Sequence, residues 1–355
     1  MRVLDVSMWR PMPHATQILC DLGADVLKVE RPGGDPMRSY PELFASLARG
    51  KRSIELDLKQ PVGIARAVEL VGQCDVFCES WRPGVADRLG LGATTLMSAR
   101  PELIYCSISG YGQDGPWRDV PGHDLNYQAL GGAVAPRPGD EFPPPIPRLP
   151  VADLEAGTLA ALLVCAAWAK RIATGEGERI DVAMADVVAW WVGPRSNVVH
   201  DAIASNDEPS SQQGSPGYGV FVAADGGLVT LAPLSEPHLW RAICEGLQLD
   251  ELADTSFAER LGRIDEIRTA ITDAIGALPA ATAIERLRAA GAPVAPVLTP
   301  EAASVHRQFA ARGIVAEVNG VAVPLLPARL DQHPRLGAAP VPSVGEHDGF
   351  RPRSN

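Results

Sequence analysis

The chain has 355 residues, 46% of them hydrophobic, with 32 basic against 43 acidic side chains and a net charge of -11. That length is enough to bury a sizeable core and favours two domains over one. The acidic balance argues against a general binder of phosphate backbones, which needs a broad basic face, so nucleic acid is not an expected partner.

In chain order, the first 110 residues alternate β-rich runs with helical patterns. Residues 3–6 read as a strand, 15–22 as a helix, 26–29 as a strand, 61–72 as a helix, and 75–78 and 103–108 as strands. Gly23 ends the first helix and Pro61 opens the second, in keeping with helix-terminus preferences. Strands separated by helices imply parallel pairing with right-handed crossovers, hence a doubly wound α/β domain.

Seven prolines lie between positions 136 and 150, a density that fits only an extended connection. After this strap, residues 154–172 form an apolar helical pattern, 174–177 a turn and 179–182 a strand-like run. The polar stretch 201–219 reads as a linker. A hairpin at 220–231 opens a second unit whose helical patterns occupy 237–247, 263–277 and 282–289. The tail from 321 has little periodicity and is expected to pack back across the first domain. The expected organisation is therefore a large domain over 1–200 completed by 320–355, a linker over 201–219, and a smaller α+β domain over 220–319.

The six cysteines (Cys20, Cys74, Cys78, Cys106, Cys165 and Cys244) lack zinc or redox spacing and read as reduced core thiols. The histidines are dispersed, and no metal is expected. No basic, apolar and cleavable leader follows Met1, and the apolar run 159–169 is about half of the roughly 20 residues a bilayer span needs. The expectation is a cytoplasmic protein without membrane insertion.

There is no GxxxxGK[ST] loop and no GxGxxG after the first strand, which argues against nucleotide hydrolysis and standard dinucleotide chemistry. Residues 28–59 nevertheless hold seven basic side chains (Lys28, Arg31, Arg38, Arg49, Lys51, Arg52 and Lys59) against five acidic ones. They form either a local anion site or a solvated face with scattered ion pairs. His123, in Gly122-His123-Asp124-Leu125-Asn126-Tyr127, is a general acid or base by chemistry, and equally a cap or a satisfied core residue. Asp124 and Asp153 each read as helix caps or as functional carboxylates, and Glu236 reads as a carboxylate favoured by a helix N-terminus.

The strings ADVLKVERPGGDP (24–36), RGKRSIELDLKQPVG (49–63), ESWRPGVADRLGLG (79–92), ELIYCSISGYGQDGP (102–116) and GAPVAPVLTPEAA (291–303) together resemble the class III CoA-transferase (CaiB/BaiF) and racemase family. The resemblance implies an acyl-CoA substrate, no cofactor beyond the CoA moiety, and an intertwined homodimer. Within the family, GHDLNY (122–127) and LSEPHLW (234–240) look like the α-methylacyl-CoA racemase branch. By that likeness His123 and Asp153 are the proton-transfer pair, and Glu236 hydrogen-bonds and tunes His123. CoA contacts fall by the same likeness on Arg31, on Leu56, Asp57, Leu58 and Lys59, on Gly122, Asp124, Asn126 and Tyr127, and on Arg82 and Arg88.

Racemisation needs two groups flanking a planar enolate, with amide donors near the Gly122 loop and the helix beginning near Asp153 to stabilise its oxygen. The rival reading is a CoA-transferase in which Asp153 attacks the thioester and forms a mixed anhydride. Leu154-Glu155-Ala156-Gly157 stands where racemases of this kind carry Phe-Gly-Gly-Gly, and it adds a carboxylate at Glu155. A third reading is an inactive CoA-binding scaffold.

Overall fold

The computed structural model describes residues 1–136, 142–193, 216–331 and 339–349. Residues 201–215 of the expected linker and 137–141 of the proline strap lie outside the described residues. The chain divides into two units: one of residues 1–135, 145–192 and 307–355, the other of 136–144 and 193–306.

The first unit is built on six parallel strands in the order β3-β2-β1-β4-β5-β6. They are β1 (Arg2–Asp5), β2 (Asp25–Glu30), β3 (Arg52–Glu55), β4 (Val76–Glu79), β5 (Ile104–Ser109) and β6 (Glu178–Ala183). The order reverses between β1 and β4, which opens a crevice at their carboxyl ends where α/β sheets bind ligands. The strands are short and apolar on both faces because helices cover both, so Val3, Val76 and Ile104 point into one core while Leu4, Phe77 and Tyr105 point into the other.

Helices α1 (Pro11–Asp21) and α7 (Val151–Thr174) supply the first of these cores, and α3 (Pro61–Val71) and α5 (Ala93–Ala99) the second. Helices α2 (Pro41–Ala48), α4 (Val85–Arg88), α6 (Asp124–Leu130) and α8 (Met184–Gly193) complete this part of the unit. α1 begins four residues before the expected position because Pro11 occupies its first turn, where the missing amide costs nothing. β3 was not expected as a strand. Its sequence Arg-Ser-Ile-Glu is half charged, as suits an edge strand, and pairing with β2 rather than pattern makes it one.

α7 spans 24 residues, so the apolar run at 159–169 is only its middle, and by length and composition the helix could cross a membrane. Here Ala152, Ala156, Ala160, Ala161, Val164 and Ala167 form its buried face against α1 and the sheet. Small residues let α7 and α1 approach closely: a Cβ on Gly157 would lie 2.5 Å from the Pro11 carbonyl oxygen. The tail returns to this unit, with His347 N donating to Ser53 O at 2.9 Å and Glu55 N to Asp348 Oδ1 at 2.7 Å.

The second unit holds an antiparallel sheet of β7 (Gly219–Val222), β8 (Leu228–Leu231) and β9 (Val294–Pro296). Helices α9 (Pro237–Leu247), α10 (Phe257–Leu261), α11 (Ile264–Gly276) and α12 (Ala280–Ala289) pack with it around Trp240, Ile243, Ile271 and Leu287. The free cysteines are buried except Cys165, which is half-buried.

Candidate active site

The first unit brings His123, Asp124 and Asp153 together. His123 is the residue before α6, and its backbone amide donates to Asn126 Oδ1 at 3.0 Å. Asp124 is the first residue of α6, yet its carboxylate serves another helix. Its Oδ1 accepts from the Asp153 amide at 3.1 Å, while Gln128 Nε2 donates to its Oδ2 at 2.5 Å. Gln128 also donates to Leu149 O at 3.1 Å, which ties the segment entering α7 to α6. Asp124 is thus a capping residue, as expected, but it caps α7 from outside.

Asp153 is not itself a cap. α7 begins at Val151, with Pro150 before it, so Asp153 lies inside the first turn. Burial penalises its ionised form and the neighbouring Asp124 adds repulsion; against a smaller opposing pull from Arg10, its carboxyl is pushed up to about 6. The amide of Val151 donates to Leu149 O and that of Asp153 to Asp124, so two of the three amides freed by this helix start already have partners. What remains toward an anion is mainly the favourable end of a 24-residue helix dipole.

The loop before α6 is held by aromatic packing. Tyr127 donates from its hydroxyl to Gly122 O at 2.6 Å and stacks edge-on against Tyr111, centroids 5.1 Å apart. A Cβ on Gly122 would fall 2.8 Å from the Tyr127 ring, so glycine is required there by the close approach. Burial and nearby Tyr111 and Asp153 raise the Tyr127 hydroxyl to about 12, keeping it a neutral donor.

Of the residues assigned to CoA, Arg31, residues 56–59 and Arg82 lie on loops at the carboxyl ends of the strands. Arg31 directly follows β2, is exposed, and donates from Nε to Gly34 O at 3.2 Å. Leu56, Asp57, Leu58 and Lys59 directly follow β3, and Asp57 Oδ1 accepts from Lys59 N at 3.0 Å, closing a tight turn. Arg82 follows β4 and Arg88 ends α4; both are exposed. Arg82 also lines a polar cavity of about 180 Å³ with Glu79, Tyr105, Gln113 and Arg179.

Charge counting in 28–59 overstates the cations available to a ligand. Lys28 pairs with Asp35, Arg38 with Glu30, Arg49 with Asp21, Lys51 with Asp5, and Arg52 with Asp25. Of the seven, Arg31 and Lys59 have no carboxylate partner among the described residues. Lys28 and Lys51 are buried beneath the β1 end, where burial opposes ionisation of Asp5 but the two ammonium groups outweigh it and hold that carboxyl below its usual range.

Glu236 lies in the second unit, as the residue before α9. It is half-buried, and its Oε2 accepts from Leu234 N at 3.1 Å.

Sequence reasoning missed Trp9 and Arg10, between β1 and α1. Trp9 adopts a left-handed backbone with φ 66°, a costly conformation for a bulky side chain, and it is 53% exposed. The signal available was position alone: two large residues between the first strand and Pro11, at the reversal of strand order.

A family model described as CoA-transferase family III matches residues 1–348. The chain is 33% identical to an acetyl-CoA:oxalate CoA-transferase of Acetobacter aceti, over 97% of this chain and 92% of the relative. It is 31% identical to an α-methylacyl-CoA racemase of Mus musculus, over 98% and 90% of the two. Among solved structures, a CaiB/BaiF family protein from Brucella suis superposes with a TM-score of 0.83 at 27% identity, covering 98% of this chain and 96% of that one. Both reaction types therefore occur among relatives of similar distance. With a parallel six-stranded sheet, a small second unit and a match along nearly its whole length, the chain belongs to CoA-transferase family III.

Proposed function

We propose that the protein is an acyl-CoA racemase or epimerase that inverts the α-carbon of 2-methylacyl-CoA thioesters. The observation that carries this reading is the bond from the Asp153 amide to Asp124, which holds the start of α7 beside the start of α6, where His123 precedes Asp124. With its carboxyl pushed up to about 6, Asp153 is largely ionised at neutral pH and more basic than an ordinary aspartate.

In one direction, Asp153 takes the α-proton as the C–H bond breaks, and the electron pair moves onto the thioester carbonyl oxygen. Protonated His123 then delivers its proton to the opposite face of the enolate. The reverse direction exchanges the roles. The loops after β2, β3 and β4 would hold the CoA moiety through Arg31, Lys59, Arg82 and the turn at Asp57.

The second reading is CoA transfer, favoured by the likeness to the acetyl-CoA:oxalate CoA-transferase of Acetobacter aceti at comparable identity. In it, the Asp153 carboxylate attacks the thioester carbonyl and CoA leaves as thiolate; the thiolate returns to the Asp153 carbonyl of the anhydride and releases the donor as a free carboxylate, and the acceptor acid then takes CoA through a second anhydride that restores the Asp153 carboxylate. Heavy-water exchange separates the two. Racemisation washes deuterium into the α-carbon without any acceptor acid, whereas transfer leaves that carbon untouched and requires a carboxylic acid.

We further propose a homodimer. α7 exposes Leu162 at 64% and Ile172 at 71%, and α8 exposes the adjacent Trp190 and Trp191. A second copy of this chain is the occupant proposed for these apolar surfaces.

A further inference from the structure

Glu79 ends β4 at the carboxyl edge of the parallel sheet and is buried, at 3% exposure. Its Oε2 accepts from Trp81 N at 2.7 Å, which closes the turn leading to Arg82. The buried carboxylates Asp5, Glu30 and Asp35 pair with Lys51, Arg38 and Lys28. Among the described residues Glu79 has no such cation.

Glu79 lines the polar cavity of about 180 Å³ together with Arg82 from the loop after β4, Asp87 from α4, Tyr105 from β5, Gln113 from the loop after β5 and Arg179 from β6. Gln113 N donates to Asp181 Oδ2 at 3.0 Å, while Gln113 Nε2 is buried without a hydrogen-bond partner among the described residues. A buried amide donor left open beside a polar cavity marks a place for a polar occupant. Arginines gather around Gly84, which also lines the cavity: a Cβ there would lie 3.4 Å from both Arg88 Nη1 and Arg118 Nη2. Arg82, Arg88, Arg118 and Arg179 are exposed, and among the described residues none is paired with a carboxylate.

The groups around Glu79 act on its proton in opposite directions. Burial penalises the ionised form most, and Asp181 and Asp87 add repulsion; the Trp81 amide and the Tyr105 hydroxyl favour ionisation, and the balance pushes the carboxyl up to about 7. A ligand carrying several negative charges, held on those arginines, repels the ionised carboxyl and not the neutral one. The proton and the anion therefore favour each other, and by the same factor.

We propose that Glu79 is a positioning residue for the CoA moiety and makes its binding proton-linked: the turn that Glu79 holds carries Arg82, and CoA with its phosphates binds more tightly when Glu79 is neutral than when it is ionised. This deepens the reading above and rests on the assignment of the loop after β4 to CoA. It is independent of whether Asp153 takes a proton or attacks a carbonyl.

The test is calorimetric titration of free CoA into the intact protein from pH 6 to pH 8, for wild type, Glu79→Gln and Asp181→Asn. Titration of CoA itself is common to all three and cancels when they are compared at one pH. Relative to Glu79→Gln, wild type is expected to lose about fivefold in affinity across that range, which corresponds to CoA tightening proton binding at Glu79 about tenfold. At pH 7 it should also take up about 0.4 proton more per CoA, read from the heats in two buffers of different ionisation enthalpy. Asp181→Asn keeps the Glu79 carboxyl and removes one repelling charge, so its fall in affinity moves to lower pH, a comparison that stands even where Glu79→Gln does not fold. One pH profile shared by wild type and Glu79→Gln, an unmoved profile in Asp181→Asn, or no CoA binding by wild type overturns the proposal. Arg82→Ala reads the CoA assignment separately. Unchanged CoA affinity in that variant removes the loop after β4 from the CoA site, whereas weakened affinity without proton linkage in wild type keeps the loop and sinks only the role of Glu79.

Discussion

Asp153 shows how one side chain links stability and chemistry. Its carboxyl lies above the ordinary 3.8, so the folded protein holds more protons than the unfolded chain between about 4 and 6, and this group's contribution to stability is lost as pH rises through that window. At pH 7.5 the ionised form is a net cost. Asp153→Asn is therefore expected to raise stability by about 1–2 kcal/mol at that pH while abolishing turnover, a pairing that thermal melts and kinetics on one preparation will check. Asp124 contributes to the upward shift, so Asp124→Asn should move the acid limb of kcat/KM to lower pH, visible in a pH profile. An unmoved limb would show that Asp153 does not set it. In the sequence, His123, Asp153 and Asp124 read by chemical type as readily as caps, and only the family resemblance singled them out. That Asp124 caps a helix 29 positions away was not legible there, because such a bond depends on how two helices meet rather than on spacing along either.

At the level of elements, the α1–α7 contact does most to place the site. Gly157 stands where a side chain would strike the backbone of Pro11, so Gly157→Ala should push the two helix starts apart. The expected result is a loss of about 1–3 kcal/mol in denaturant unfolding together with weakened turnover, since Arg10 and Asp153 are held in relation by this contact. Unchanged stability would mean that α1 yields freely. The strands β1, β2, β4 and β5 were readable as apolar runs between helices, as was α7 from its alanines and leucines. β3 and α2 were not, because their residues become regular only through pairing with β2 and packing against the tail. The cation cluster in 28–59 misled in the opposite direction: carboxylates from β1, α1, β2 and the loop after β2 neutralise most of it.

For the molecule as a whole, the family was legible from long strings, four of which run from a strand of the six-stranded sheet into the loop at its carboxyl end. The reaction is less legible, since one carboxylate at one helix start can take a proton or attack a carbonyl. Apolar exposure on α7 and α8 predicts a stable dimer at micromolar concentration, and Trp190→Glu with Trp191→Glu is expected to weaken it in sedimentation velocity. A wild-type monomer would leave those surfaces unexplained by self-association. The decisive measurement is deuterium wash-in at the α-carbon of a stereochemically pure 2-methylacyl-CoA thioester in heavy water with no acceptor acid. The racemase reading predicts incorporation with loss of stereochemical purity, abolished in Asp153→Asn and in His123→Ala. An α-carbon that stays protiated and stereochemically intact, with CoA moving once a carboxylic acid is added, would contradict it and make Asp153 a nucleophile.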